Sequence, residues 1–394
     1  MKLLFVHERF GALAGAEANA FLTARELKCR GHRVAILHGA TTGKAEAAWE
    51  ETFSERFVLG EKGNASRTQT ALAQFQPDIV YVHKMADLEV IETLVAARVP
   101  LVRMVHDHDI YCMRSYKYNY FNRKICTRAA TPFCVFPCGA FLARNHNDGF
   151  PLKFVSYGKK KKEIALNKKF QRMIVVSHYM REELLRNGFD PLKIEIMPPV
   201  PPLGERELRS NFSERNLILF AGQIIRGKGV DLLLQSLALI KTPFECIILG
   251  DGTHRSFCEA LSRKLNLHER VHFAGFIPQE QLKDFYRECS VMAISSVWPE
   301  PFATIGMEVM RYGIPVVAFD VGGISDWLLD EYNGFLVPWM DKNKFASRLE
   351  ELLKNKSLAR EMGKRGGKLV ETQFSFSSYI QNLEAMFAKV LNGN

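Results

Sequence analysis

One alternation, run through twice, governs what this chain can fold into. Short β-branched runs at Leu3–His7, Val34–His38, Ile79–His83, Leu101–His106 and Met173–Ser177 are separated by amphipathic stretches such as Ala16–Arg30 and Asp87–Ala97. Alternation of this kind predicts βαβ units, a parallel sheet and helices on both of its faces. Pro198-Pro199-Val200-Pro201-Pro202 then interrupts the pattern. Proline lacks an amide donor and fixes φ, so this stretch reads as a stiff linker. The alternation restarts at Leu217–Ala221, Glu245–Leu249, Val271–Ala274, Val291–Ser295, Val316–Phe319 and Gly334–Val337. The expected organisation is an α/β chain of two doubly wound, Rossmann-like domains, 1–197 and 216–372. Residues 198–215 link them, and 373–394 form a C-terminal helix returning to the first domain. Such sheets bind ligands beyond the carboxyl ends of their strands, which makes a cleft between the domains the expected site.

Composition removes other classes. With 394 residues, 47% hydrophobic and 24% charged, the chain is neither disordered nor fibrous. No run of 18 apolar residues occurs, so no membrane-spanning helix is expected. Met1–Val6 is too short for a signal-peptide core and reads as the start of the first strand, giving an expected cytoplasmic location and reduced cysteines. The net charge of +10 is uneven. Residues 1–200 carry 30 basic and 20 acidic side chains, and residues 201–394 carry 23 of each. Lys159–Lys162, with Lys168 and Lys169, is the densest patch. It reads either as a solvated surface or as a peripheral contact with anionic membrane. No base-reading helix, zinc-finger spacing or aromatic RNA-binding strand accompanies it, so nucleic acid is not an expected partner.

In the second domain, Ala221–Asp231 follows a strand and opens a helix, with Gly222, Gly227 and Gly229 beside Gln223, Arg226 and Lys228. Glycines admit a ligand close to the backbone, and a helix N-terminus with added cations attracts a diphosphate. A tight turn with two exposed cations is the plainer reading of that motif alone. Gly250 and Asp251 end the next strand in another glycine turn. Farther on, Trp298–Met310 runs from a strand end into a helix. The spacing of eight between Glu300 and Glu308 places both carboxylates on one face if the helix is regular. Paired carboxylates suit the hydroxyls of a sugar or ribose. A helix-start carboxylate plus a surface glutamate is the alternative. Val321-Gly322-Gly323-Ile324-Ser325-Asp326 follows at the next strand end, again with glycines suited to close ligand approach.

Together these segments resemble the retaining nucleotide-sugar glycosyltransferases of family 4. That family has the GT-B fold, two Rossmann-like domains facing each other across a cleft. Glu300 to Glu308 is similar to its Glu-x7-Glu signature. The resemblance implies that Glu300 and the backbone of Phe302, Ala303 and Thr304 hold the transferred sugar, and that Glu308 holds the ribose. Lys228 matches a lysine that neutralises the donor diphosphate. Gln223 stands where the family has arginine, with Arg226 the nearby substitute. Asp326 stands where glutamate is common. Phe10–Glu17, with Gly15, is similar to the N-terminal glycine loop beside the donor or acceptor. His106 matches a histidine that contacts the donor sugar. The implied reaction needs no metal. It uses a nucleotide-sugar donor and a saccharide or lipid-linked acceptor, and serves cell-surface glycan synthesis. An epimerase on the same fold and a non-catalytic sugar-nucleotide or metal-binding protein are the competing readings. His32, in Gly31-His32-Arg33-Val34, reads as structural.

Cys112, Cys126, Cys134 and Cys138 lie in a basic, aromatic, poorly periodic insert, 112–158, at spacings of 14, 8 and 4. Four thiolates satisfy tetrahedral zinc, which would staple a segment without its own core. An iron–sulfur cluster, unliganded thiols and a disulfide remain open. Cys29, Cys246, Cys258 and Cys289 read as core residues.

Overall fold

The computed structural model describes residues 1–12, 15–144, 152–198 and 210–393. The proline-rich stretch after Pro198 lies largely outside them, as do Leu13 and Ala14 of the glycine loop. The chain divides into two units: Met1–Lys117 with Thr127–Pro202 and Phe376–Asn394, and Tyr118–Cys126 with Leu203–Ser375.

The first unit is built on β1 (Lys2–Phe10), β2 (Arg33–Thr41), β3 (Glu55–Val58), β4 (Ile79–Val82), β5 (Leu101–Val105), β8 (Arg172–Val175) and β9 (Ile194–Ile196), in the order β3-β2-β1-β4-β5-β8-β9. Every pairing is parallel. Leu3–Val6 and Ile79–Val82 are fully buried, as strands covered on both faces must be. A short antiparallel pair, β6 (Leu142–Arg144) and β7 (Leu152–Phe154), lies in the insert. The C-terminal helix Phe376–Leu391 completes this unit. Its Glu384 accepts hydrogen bonds from Arg30 (2.9 Å) and His32 (2.8 Å), and Phe387 meets the Tyr81 ring edge-on at 5.4 Å. His32 is therefore a structural tether.

The second unit is built on β10 (Leu217–Ala221), β11 (Glu245–Leu249), β12 (Val271–Gly275), β13 (Val291–Ile294), β14 (Val316–Phe319) and β15 (Gly334–Val337), in the order β12-β11-β10-β13-β14-β15. All its pairings are parallel too. β10 lies where the strand order reverses, and the crevice beyond its carboxyl end is where such sheets take ligands.

The lysine run lies on a helix, Tyr157–Asn167, whose N-cap Ser156 accepts from the Lys159 amide at 3.3 Å. Lys160 is bound to Glu163 at 2.6 Å and to the Asp109 carbonyl, and Lys162 pairs with Glu92. Two of the four cations are thus matched. No helix among the described residues is long and apolar enough to cross a membrane.

Candidate functional site

The segment after β10 turns through a short 3₁₀ stretch, Arg226–Lys228, into the helix Val230–Leu237. Gly229 makes this turn possible. Its φ is +65°, and a Cβ there would fall 2.0 Å from the Ser295 carbonyl oxygen. The turn is thereby pressed against the end of β13, where the Gly227 carbonyl accepts from the amides of Val297 (2.8 Å) and Trp298 (3.2 Å).

This contact brings Lys228 to Glu300. Lys228 Nζ lies 2.6 Å from Glu300 Oε1, with side chains 23% and 4% exposed. The same oxygen accepts from Trp298 Nε1 at 2.8 Å and from the Ser296 hydroxyl. Lys228 also lies 5.5 Å from the Trp298 ring centre, a cation–π distance. A nearly buried carboxylate thus keeps three donors, while its lysine stays partly open to a ligand.

The segment 300–303 is not helical. The helix spans Thr304–Met310, and Ala303 before it adopts the left-handed conformation at φ 55°. Two prolines flank Glu300, so helical spacing does not relate Glu300 to Glu308, and the expectation of a shared face does not hold on that ground. Glu300 is placed instead by Gly322. That residue has φ +61°, and a Cβ on it would lie 2.1 Å from the Glu300 carbonyl oxygen, which also accepts from the Gly323 amide at 2.7 Å. Gly322 lets one loop lie on another. Phe302 is buried, its carbonyl accepting from Trp327 Nε1 at 2.6 Å, and Thr304 is exposed. Glu308 accepts from the Tyr286 hydroxyl at 3.4 Å. Burial first, and then Glu308's charge, push the Tyr286 phenol up, keeping it a donor.

The remaining donor-side residues lie on neighbouring loops. Gln223 is exposed just after β10. Arg226 donates to the carbonyls of Tyr120 (2.9 Å) and Phe121 (3.2 Å). The Gly250 amide donates to the Gly275 carbonyl at 2.7 Å. Asp251 pairs with Arg255 at 3.1 Å, and its side chain is 58% exposed.

In the first unit Gly15 opens the helix Gly15–Cys29. His106 follows β5 and is hydrogen-bonded through Nε2 to His83 Nδ1 at 3.0 Å. Burial, then the positive charges of His7, Lys84 and Arg103, pull His106 down to about 3. It is a neutral imidazole at physiological pH. Asp107 and Asp109 each lie 2.8 Å from Lys84 Nζ. Burial and the Asp109 carboxylate push Asp107 up to about 6.

The four insert cysteines are not assembled for a metal. Among the described residues no group of three or more His, Cys, Asp or Glu is arranged to hold one. Burial pushes the Cys112 thiol up. No chemistry is assigned through zinc or an iron–sulfur cluster.

Two all-parallel, doubly wound sheets, the second with a lysine–glutamate pair held at its strand ends by glycine-packed loops, define a two-domain Rossmann-like protein. Residues 205–369 match the family model of glycosyl transferases group 1, and residues 13–200 that of glycosyltransferase family 4. Together the two models cover most of the chain, and both describe glycosyltransferases. It is similar to an uncharacterized glycosyltransferase of Methanocaldococcus jannaschii, at 29% identity over 42% of this chain and 46% of that protein. A D-inositol 3-phosphate glycosyltransferase of Xylanimonas cellulosilytica is 32% identical over 44% of this chain and 46% of its own length. The chain thus spans about half the length of these curated relatives. Among solved structures, Anabaena HepE in complex with UDP superposes with a TM-score of 0.76 at 18% identity, covering 99% of this chain and 100% of that one. That likeness establishes the GT-B fold.

Proposed function

We propose that this protein is a retaining glycosyltransferase that moves a sugar from a nucleotide diphosphate sugar to a saccharide or lipid-linked acceptor in cell-surface glycan synthesis. The observation that carries the reading is the Lys228–Glu300 pair at 2.6 Å, set on the turn between β10 and its following helix. The hard step in such a transfer is departure of an anionic diphosphate from a sugar carbon that becomes oxocarbenium-like. Lys228, the Arg226 side chain and the amides opening the helix Val230–Leu237 would meet the charge that develops on the leaving oxygen. Glu300 would accept hydrogen bonds from sugar hydroxyls with the 302–304 backbone, and Glu308 from the ribose. His106, neutral and held by His83, would serve as a hydroxyl partner without competing for the diphosphate as a cation. Similar folds support the donor class, since HepE was solved with UDP and with UDP-glucose. The exposed lysines of the helix Tyr157–Asn167 suit contact with an anionic membrane surface on the cytoplasmic side.

The test is to incubate the protein with a panel of nucleotide sugars and candidate acceptors and to read the product by proton NMR. A new glycoside with the donor's anomeric configuration supports the reading. An inverted product removes retention. Epimerised donor in the absence of acceptor, with no transfer, removes the function.

A further inference from the structure

Tyr118–Cys126 comes from the insert in the first half of the sequence yet clusters with the second unit. It is a tight hairpin. A bridge joins Tyr118 to Ile125, the Asn119 amide donates to the Lys124 carbonyl at 2.9 Å, and the Arg123 amide donates to the Asn119 carbonyl at 2.8 Å. The Asn119 side-chain oxygen accepts from the amides of Phe121 (2.9 Å) and Asn122 (3.2 Å). At its turn Arg123 adopts φ 62°.

The Arg123 guanidinium is buried against the second unit, 2.8 Å from Asp231 Oδ2, with side chains 5% and 9% exposed. Asp231 is the second residue of the helix that Lys228 and Gly229 lead into. Two further contacts hold the same turn. The carbonyls of Tyr120 and Phe121 accept from Arg226, whose guanidinium lies 5.5 Å from the Tyr120 ring centre. Tyr118 closes on Gly227, where a Cβ would meet its hydroxyl at 3.2 Å. The hairpin therefore touches positions 226, 227 and 231, on both sides of Lys228. An ion pair buried to this degree adds little net stability over apolar residues of the same volume. What it supplies is geometry.

We propose that Arg123 is a positioning residue of the donor site: its buried pair with Asp231 fixes the turn that presents Lys228 and Arg226 to the diphosphate. The inference rests on the nucleotide-sugar reading above and adds to it a segment of the insert. It also bears on Gln223. With no cation at that position, the loop's charge rests on Lys228 and Arg226, and both depend on how the hairpin sets the turn.

The experiment uses the full chain as wild type, Arg123→Lys, Arg123→Met and the double variant Arg123→Met/Asp231→Leu. Binding of UDP, GDP, ADP and dTDP is measured by calorimetry, and donor KM and kcat are measured with the matching nucleotide sugar. In Arg123→Met, Kd and donor KM rise tenfold or more, and Arg123→Lys recovers most of the loss. The double variant leaves no buried charge, so it keeps the wild-type Tm without recovering donor affinity. A double variant that regains both Tm and affinity would show a merely structural pair and overturn the proposal. So would an unchanged Kd in folded Arg123→Met. If wild type binds none of the four diphosphates, the nucleotide-sugar reading itself fails.

Discussion

Lys228→Ala removes the cation proposed to stabilise the leaving diphosphate. The side chain has two jobs in the structure: it neutralises Glu300 at 2.6 Å, and its 23% exposure leaves it able to meet a ligand. Removing one preorganised group that stabilises developing negative charge costs about 10²–10³ in kcat, or roughly 3–4 kcal/mol. The structural cost is smaller. Stripping a partner from a fully buried ion pair costs about 3–5 kcal/mol. Here Glu300 keeps Trp298 and Ser296 as donors, so the loss of one hydrogen bond to a charged group, roughly 1.5–3 kcal/mol, is expected. For a domain of this size that is a Tm drop of about 3–12 °C. The assay is release of nucleoside diphosphate from the sugar donor, beside circular-dichroism melting. A folded Lys228→Ala protein with turnover within about threefold of wild type would refute the reasoning, because so small a loss is only ~0.65 kcal/mol.

Other perturbations follow from the same geometry. Gly322→Ala forces a methyl group to within 2.1 Å of the Glu300 carbonyl at a left-handed φ, so a loss of roughly 3 kcal/mol is expected; calorimetry finding an unchanged Tm would contradict the loop contact. Acid should unfold the first unit early. His7 is pulled down to about 4 by burial and then by the Lys84 charge, and burial, then the His106, His7 and Arg103 neighbours, hold His83 well below its usual value. The unfolded chain takes up protons below pH 6.5 that the native histidines refuse. Stability is therefore fully present above that pH and falls as pH drops towards 4, by up to about 1.4 kcal/mol per pH unit for each histidine. Urea unfolding at stepped pH checks this, and a flat profile between pH 6.5 and 4 would oppose it. Elemental analysis of the purified protein is expected to find zinc and iron well below stoichiometric amounts; one equivalent of zinc lost in Cys134→Ser would show instead that the insert thiols bind it.

The central strands were legible because burial on both faces leaves continuous apolar runs, as in Leu217–Ala221 and Val316–Phe319, whose observed bounds coincide with those read from the sequence. β3 and β9 escaped notice. Glu55–Val58 alternates half-buried with exposed residues at a sheet edge, and Ile194–Ile196 is only three residues long. Lys228 and Glu300 stand out through their glycine and proline neighbours, but what joins them does not. Nothing local in Gly322 says that it will lie on Glu300. Nothing in a lysine- and arginine-rich insert says that Arg123 will pair with an aspartate 108 positions away. Both contacts depend on chain segments meeting only in the folded state. The Glu300–Glu308 spacing misled for a related reason, since Ala303 at φ 55° interrupts the helix that the spacing assumes.

The second unit is expected to hold a nucleoside diphosphate at the turn after β10 and the loop before Thr304. Amide hydrogen exchange with and without UDP, GDP, ADP or dTDP locates such a ligand directly. Slowed exchange confined to 222–231, 250–252 and 300–308 with one of these nucleotides is the predicted result. Protection elsewhere alone, or none with any of them, would contradict it.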